Sequence, residues 1–509
     1  MLSDLRSYAR TFPWQRQPPR LGFSDQTAVR VLVGLAGLSL FIYLWAFVWP
    51  YNLLDWFQRP KLTLRSFVKK DPLAHWWLVW AFLMQGGLYW LAWRLALQIR
   101  GRVAWLIVLG GTAIFSLVLL FLYPLDAADI FDNVMRGRIS GVYRVNPFGA
   151  APNQFKADPF YPYVVWQRTP SAYGPLWEAW AGGVAWLTGD GIIANVIAFK
   201  LLGGLFLAIS IGLVAVILRR MAPERALAGV VLLAWNPVVL YETIGNGHND
   251  IAMAVWLLAA VWAILSQRYT LAILALWVGV LVKFIPLLVI PVAGLIALRN
   301  LPDSRSRLRF LGVTALASAA LIVVSYGPFL QGLTELGVTR RTGLFTASLP
   351  AVIRAWLYLN GGSKAASWQI GLAAASVTAL FVLWQSRQTW RDHSWLNFSQ
   401  SACKILIFYL LVTCLWFQQW YVIWPLAIAA LLPPGHLARL AVLFSFAALL
   451  SKHLIFGPLL FWVQPRPSRA WLELFFGPAV LMIPWLYIIL ALWQGRQTKT
   501  QEDTLIREA

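Results

Sequence analysis

Charge is scarce in this chain. Of its 509 residues, 12% are Asp, Glu, Lys or Arg, about half of what a soluble domain carries. Cysteine is nearly absent. Cys403 and Cys414 share one apolar segment, and eleven helical residues separate them by about 16 Å, which excludes a bond between them. No run of Lys and Arg with interleaved aromatics occurs, so no nucleic-acid partner is expected. The first 27 residues are polar and basic, without a short apolar core or a small-residue cleavage site, so no cleavable signal peptide is expected. No soluble domain and no internal repeat is visible.

What is present is apolar sequence. Hydrophobic residues make up 60% of the chain, and the mean hydropathy is +0.65. Runs of about 20 apolar residues, each enough to cross the hydrocarbon core, recur from residue 28 to residue 494. The fold class expected is all-α, a polytopic transmembrane helix bundle. Its helices are read at 28–49, 75–97, 103–123, 190–218, 226–243, 249–266, 268–282, 284–298, 309–329, 366–386, 400–417, 420–432, 437–454 and 470–493. Helices 284–298 and 420–432 are too short to span unaided, as happens where a bundle encloses a cavity. The stretch Pro175–Thr188 is apolar but short, and reads as a re-entrant or interfacial helix. The domain plan is a polar segment 1–27, one membrane domain 28–494, and a tail 495–509.

The formal net charge is +22. Most basic residues fall between hydrophobic segments, as topology and anionic lipid headgroups require. With both termini in the cytoplasm, Arg100 and Arg102, Arg219 to Arg225, Arg268, Arg299 to Arg309, Arg387, Arg391 and Arg439 all fall inside. Residues 50–74 are the exception, because Arg59, Lys61, Arg65, Lys69 and Lys70 then lie outside; an amphipathic helix on headgroups would account for them. The outer face of this plasma-membrane protein holds the loops 124–189, 244–248, 330–365 and 455–469.

Polar residues gather on that face. The first loop brings Asp126, Asp129 and Asp132 to the end of a transmembrane helix at spacings of three, so a helical turn would bring them together. Acids at a membrane boundary are costly and tend to serve a cavity. The plainer reading is an N-cap by Asp126 or Asp129. A second turn carries Glu242 and Asn246-Gly-His-Asn-Asp250. Asn249 or Asp250 could cap the next helix, but a cap needs neither His248 nor Glu242. Lys283 sits at a break ending in Pro286, and Lys200 lies within an apolar helix; each could snorkel, or neutralise a phosphate. Arg340 and Arg341 form a pair suited to phosphate, and Gln418-Gln-Trp-Tyr421 interrupts two apolar helices. Lys452, His453 and Arg466 to Arg469 complete a basic rim. Thirty tryptophans and a first outer loop dense in aromatics suit interfacial anchoring and sugar stacking alike.

In order along the chain, Pro124-Leu-x-x-x-Asp129, Gly141, Asn146-Pro-Phe148, Ser171-Ala-Tyr-Gly-Pro175, Asn236-Pro, Asn246-Gly-His-Asn-Asp250, Lys283-Phe-Ile-Pro286 and Gln419-Trp-Tyr421 resemble the GT-C fold glycosyltransferases. The type they resemble is the bacterial polyprenyl-phosphate-mannose-dependent mannosyltransferases. The resemblance implies transfer of a hexose from a lipid-linked donor to a lipid or glycan hydroxyl on the non-cytoplasmic face, with inversion. It implies Asp129 as general base, with Asp126 the alternative. Arg340, Arg341 and Lys283 would hold the departing phosphate, and His248, Asn249, Asp250, Tyr173, Gln419 and Tyr421 would line the site. No obligatory metal or other cofactor is expected. Two departures stand out: many relatives place the acidic loop after the first helix while two extra helices precede it here, and a soluble C-terminal domain found in some is absent. The alternatives are a flippase for polyprenyl-linked saccharides and a glycan polymerase or ligase using pyrophosphate donors. Polar clusters on one face, not at mid-membrane, favour an enzyme over a transporter.

Overall fold

The computed structural model describes residues 22–62, 64–68, 72–126, 128–330, 344–362, 366–456 and 468–508. Among them no strand forms beyond two isolated bridges. Eight helices are long and apolar enough to cross a membrane, or nine if the bent pair Pro223–Ala234 and Pro237–Gly245 is one span.

The helices follow the hydrophobic runs. Short helical turns apart, they are α1 (Asp25–Ile42), α2 (Pro72–Ala96), α3 (Arg102–Leu119), α4 (Asp129–Gly141), α5 (Pro175–Thr188), α6 (Ile192–Met221), α7 (Ala226–Ala234), α8 (Asp250–Leu265) and α9 (Tyr269–Val280). Then come α10 (Ile290–Asn300), α11 (Ser304–Tyr326), α12 (Leu349–Leu359), α13 (Ala366–Arg391), α14 (Trp395–Phe408), α15 (Ile423–Ala429), α16 (His436–Ser451) and α17 (Arg469–Glu508).

Packing sorts them into a centre and a rim. Every residue of α7 and α15 is buried, and nearly all of α8. Helices α11, α13 and α17 are the reverse: Leu316, Leu380 and Ile489 stand exposed on apolar faces. Exposed apolar surface on this scale is what hydrocarbon tails cover.

Several helices change character at one end of the bundle. Four π-helical segments, Tyr43–Val48, Tyr241–Gly245, Tyr409–Thr413 and Lys452–Phe456, occur there; such bulges widen the backbone and recur at functional sites. The path through α7 bends by 49°, where the Asn236 side chain accepts from the Val238 and Val239 N–H groups ahead of Pro237. Asn236 is therefore a helix cap. Lys200 is structural too. Its buried ammonium donates to Leu119 O, Leu120 O (3.1 Å) and Leu122 O, closing the end of α3.

The segment after α1 packs against the acidic loop. Leu53 N donates to Phe121 O (2.6 Å), Tyr123 N to Tyr51 O (2.7 Å) and Tyr163 Oη to Phe57 O (2.7 Å). Residues 51–57 thus pack beside residues 121–123 and the long loop. That loop is clamped by Arg138 of α4, which binds Asp158 (2.7 Å) and Asp190 (2.6 Å).

Candidate active site

Asp129 and Asp132 share the first turn of one helix, but Asp126 does not join them. Helix α4 begins at Asp129, and no side chain caps it. Asp126 precedes the helix, so the i,i+3 relation cannot hold between these two. Each carboxylate finds its own surroundings.

The Asp126 side chain is covered. Gln419 Nε2 donates to Oδ2 at 2.8 Å, His453 Nε2 is 3.4 Å from the same oxygen, and Lys452 Nζ is 3.7 Å from Oδ1. Its backbone is pinned by Asn246 Oδ1, which accepts from the Leu125 and Asp126 N–H groups. Burial alone would push this carboxyl up, but the charges of Lys452 and His453 and the bond from Gln419 outweigh it and hold it below the usual carboxylate range. Asp132 turns the other way, accepting from the Trp166 (3.0 Å) and Val165 (3.3 Å) N–H groups and pairing with Arg136 (3.3 Å). Burial pushes it up to about 6, with Asp129 adding to the effect and Arg136 opposing it.

Asp129 alone among the central acids is open. Its side chain is 25% exposed, against 1% for Asp126, 0% for Glu242 and 1% for Asp250. Its Oδ2 lies 3.8 Å from Nε2 of His248, whose Nδ1 lies 3.0 Å from Glu242 Oε2. The imidazole stacks on Trp420, with ring centroids 3.7 Å apart and planes 18° apart. Glu242 also accepts from Asn246 Nδ2 (3.0 Å) and from Gln419 Nε2 (2.5 Å). One amide nitrogen of Gln419 thus joins Asp126 to Glu242.

A second cluster surrounds Lys283. Its ammonium is 2.7 Å from Asp250 Oδ1 and lies over the rings of Tyr421 (4.6 Å), Trp424 (5.3 Å) and Tyr173 (5.9 Å). Trp424 Nε1 donates to the same Asp250 oxygen at 2.6 Å. Tyr173 is delivered by the start of α5, where Gly174 N donates to Val282 O (3.0 Å) and Leu176 N to Leu281 O (3.0 Å). A Cβ on Gly174 would stand 2.0 Å from Leu281 O, so this docking admits only glycine. Asn249 is at the N-cap position of α8 but makes no capping bond, and its Nδ2 and Asp250 Oδ2 are buried without a hydrogen-bond partner. The capping explanation for Asn249 and Asp250 therefore fails.

Of the residues expected from sequence, Asp126, Asp129, His248, Asn249, Asp250, Lys283, Tyr173, Gln419 and Tyr421 converge at this end of the bundle. Arg340 and Arg341 lie outside the described residues. The structure adds Trp424, which no local pattern singles out in a tryptophan-rich chain, and Trp420. It also brings Glu242, Lys452 and His453 into contact with the site. His75 joins by bonding through Nε2 to His453 O. Four carboxylates, two lysines and three histidines can together bind an anion, orient a hydroxyl and accept a proton. A separate groove of about 500 Å³ lies at the other end of α4, between Ser140, Gly182, Trp186 and Phe329, with Arg144 at its edge.

A family model described as "Alpha-(1->6)-mannopyranosyltransferase, N-terminal domain" matches residues 26–299, more than half of the chain. The match takes in the N-terminal hairpin, the acidic loop and the Lys283 break. Alpha-(1->6)-mannopyranosyltransferase A of Mycobacterium tuberculosis is 24% identical over 405 residues, 72% of this chain and 74% of that protein. The protein of the same name from Corynebacterium glutamicum is 26% identical over 177 residues, 34% of this chain and 35% of that one. The chain belongs to the alpha-(1->6)-mannopyranosyltransferase family and is a mannosyltransferase.

Proposed function

We propose that the protein moves mannose from a polyprenyl-phosphate donor to a hydroxyl of a lipid or glycan acceptor, with inversion, on the non-cytoplasmic face of the plasma membrane. Asp129 is the general base. It deprotonates the acceptor hydroxyl as the oxygen attacks the anomeric carbon. The bond from that carbon to the phosphate oxygen breaks, and its electron pair leaves with the lipid phosphate. The names of the relatives support an alpha-(1->6) linkage in the product.

The observation that carries this reading is the exposure of Asp129 at the same end of the bundle as two accessible cations. Lys452 and Lys283, with side chains 20% and 16% exposed, stand among the same groups and can neutralise the departing phosphate. Asp126 is the poorer base, since a carboxylate tied to Lys452, His453 and Gln419 and held below its usual range has little affinity for a proton. Asn249, Asp250 and the rings around Lys283 offer polar atoms and flat faces to a sugar. The positive-inside distribution of Lys and Arg supports cytoplasmic termini and a site on the opposite face.

The test uses purified protein in vesicles, a polyprenyl-phosphate mannose and a short mannoside acceptor. Asp129→Asn is expected to lower kcat by about 10²–10⁴-fold with donor binding retained. Asp126→Asn is expected to act mainly on donor affinity, because it releases Lys452. Full transfer by Asp129→Asn would remove it as the base.

A further inference from the structure

The position of His248 is over-determined. Gly247, at φ +74°, turns the chain back so that His248 N donates to Glu242 O at 2.9 Å. A Cβ at Gly247 would meet Ile130 at 2.4 Å, so the turn also packs against α4. Trp420 covers one ring face. Glu242 is itself fixed by Asn246 and Gln419. A histidine that only fills a core satisfies its nitrogens with directed hydrogen bonds. Here neither nitrogen has one among the described residues, although both are buried. The groups that face them are two carboxylates, Glu242 at Nδ1 and Asp129 at Nε2. Of the other charges, the Lys452 ammonium lies 5.8 Å from the centre of the Trp420 ring, Asp126 and His453 stand beyond Gln419, and Asp250 is turned toward Lys283.

We propose that His248 is the proton relay behind Asp129, taking at Nε2 the proton that Asp129 removes from the acceptor hydroxyl, while Glu242 steadies the imidazolium through Nδ1–H. The inference rests on the general-base reading of Asp129 given above. The acceptor O–H bond breaks and its proton passes to Asp129 Oδ2. The same proton then moves to Nε2, restoring the carboxylate, and leaves to water with the products. The 3.8 Å separation closes with a small rotation of Asp129, and catalytic hydrogen bonds are commonly longer before substrate binds. A cation on the face of Trp420 is favoured by the ring's electrons, so the stack stabilises the state the relay passes through. His248 is a positioning residue in this scheme, since Asp129 touches the substrate.

Two experiments test this. His248→Ala is expected to lower the single-turnover rate by about 10²–10³-fold. Added imidazole is expected to restore part of that rate, and substituted imidazoles of equal size to restore more as their basicity rises. Failure of rescue by every azole, or rescue that follows size alone, overturns the relay. The second readout needs neither turnover nor a His248 variant. In ¹⁵N-histidine spectra, Asp129→Asn is expected to shift the His248 Nε2 resonance and Glu242→Gln the Nδ1 resonance. An Nε2 signal indifferent to Asp129→Asn overturns the relay even if transfer is active. Shifted resonances in a wild-type protein that transfers no mannose would keep the histidine–carboxylate coupling and remove the proposed function instead.

Discussion

Lys283 Nζ lies 2.7 Å from Asp250 Oδ1, joining the break after α9 to the first turn of α8. The pair is bordered by Tyr173, Tyr421 and Trp424, and while Lys283 keeps 16% of its side chain exposed, Asp250 at 1% is shielded from bulk water. Breaking such a pair from one side leaves the other charge buried, at a cost of about 3–5 kcal/mol. Lys283→Met should therefore lower the thermal midpoint in detergent markedly. Adding Asp250→Asn should recover most of that loss without recovering transfer. A Lys283→Met protein as stable as the wild type would mean that water reaches Asp250.

Asp132 makes the long loop after α3 sensitive to pH. Its value is raised from 3.8 to about 6 in the folded protein, so the native state holds the proton more tightly than the unfolded one. The stabilising contribution is complete below about pH 4, is lost as pH rises toward about 6, and stays flat above. Between pH 7 and pH 5 the wild type should gain about 1 kcal/mol relative to Asp132→Asn, which cannot titrate. Denaturation midpoints of both proteins at the two pH values measure this. An unchanged difference would mean that Asp132 does not titrate in this window.

Lys200 separates a structural lysine from a catalytic one. Its ammonium serves the carbonyls that end α3. Lys200→Met keeps the length of the side chain and leaves buried acceptors unpaired, each worth about 1–3 kcal/mol. The variant should accumulate less and melt earlier, while transfer per folded molecule stays at the wild-type level. A fall in kcat at unchanged stability would instead bring Lys200 into the chemistry.

Much of the fold was legible because a membrane admits few solutions. Apolar runs must become helices when no water can satisfy the backbone, and Pro175–Thr188 forms the helix its composition implies. The breaks at Pro286 and Gln419 were legible as interruptions of those runs, whereas the bend at Pro237 falls inside the single helix 226–243 read from sequence. The π-helical turns carrying Glu242 and Lys452 were not, since they need tertiary contacts to hold them. Nor was the role of Lys200, because the carbonyls it serves lie about 80 residues away in the chain.

The sequence by itself determined the class and the cast: a helical membrane bundle, and nearly all of the polar residues that gather at one end of it. Hydrophobic period and charge placement are local properties, so one chain is enough to read them. The tertiary structure alone decided the division of labour. Asp126, Asp129 and Asp132 look equivalent at spacings of three. Packing gives the first to Lys452 and Gln419, turns the third onto the loop backbone, and leaves Asp129 open beside His248. The groups that make this choice lie more than a hundred residues away in the chain for Glu242, His248, Gln419 and Lys452, and no pattern around the aspartates encodes them.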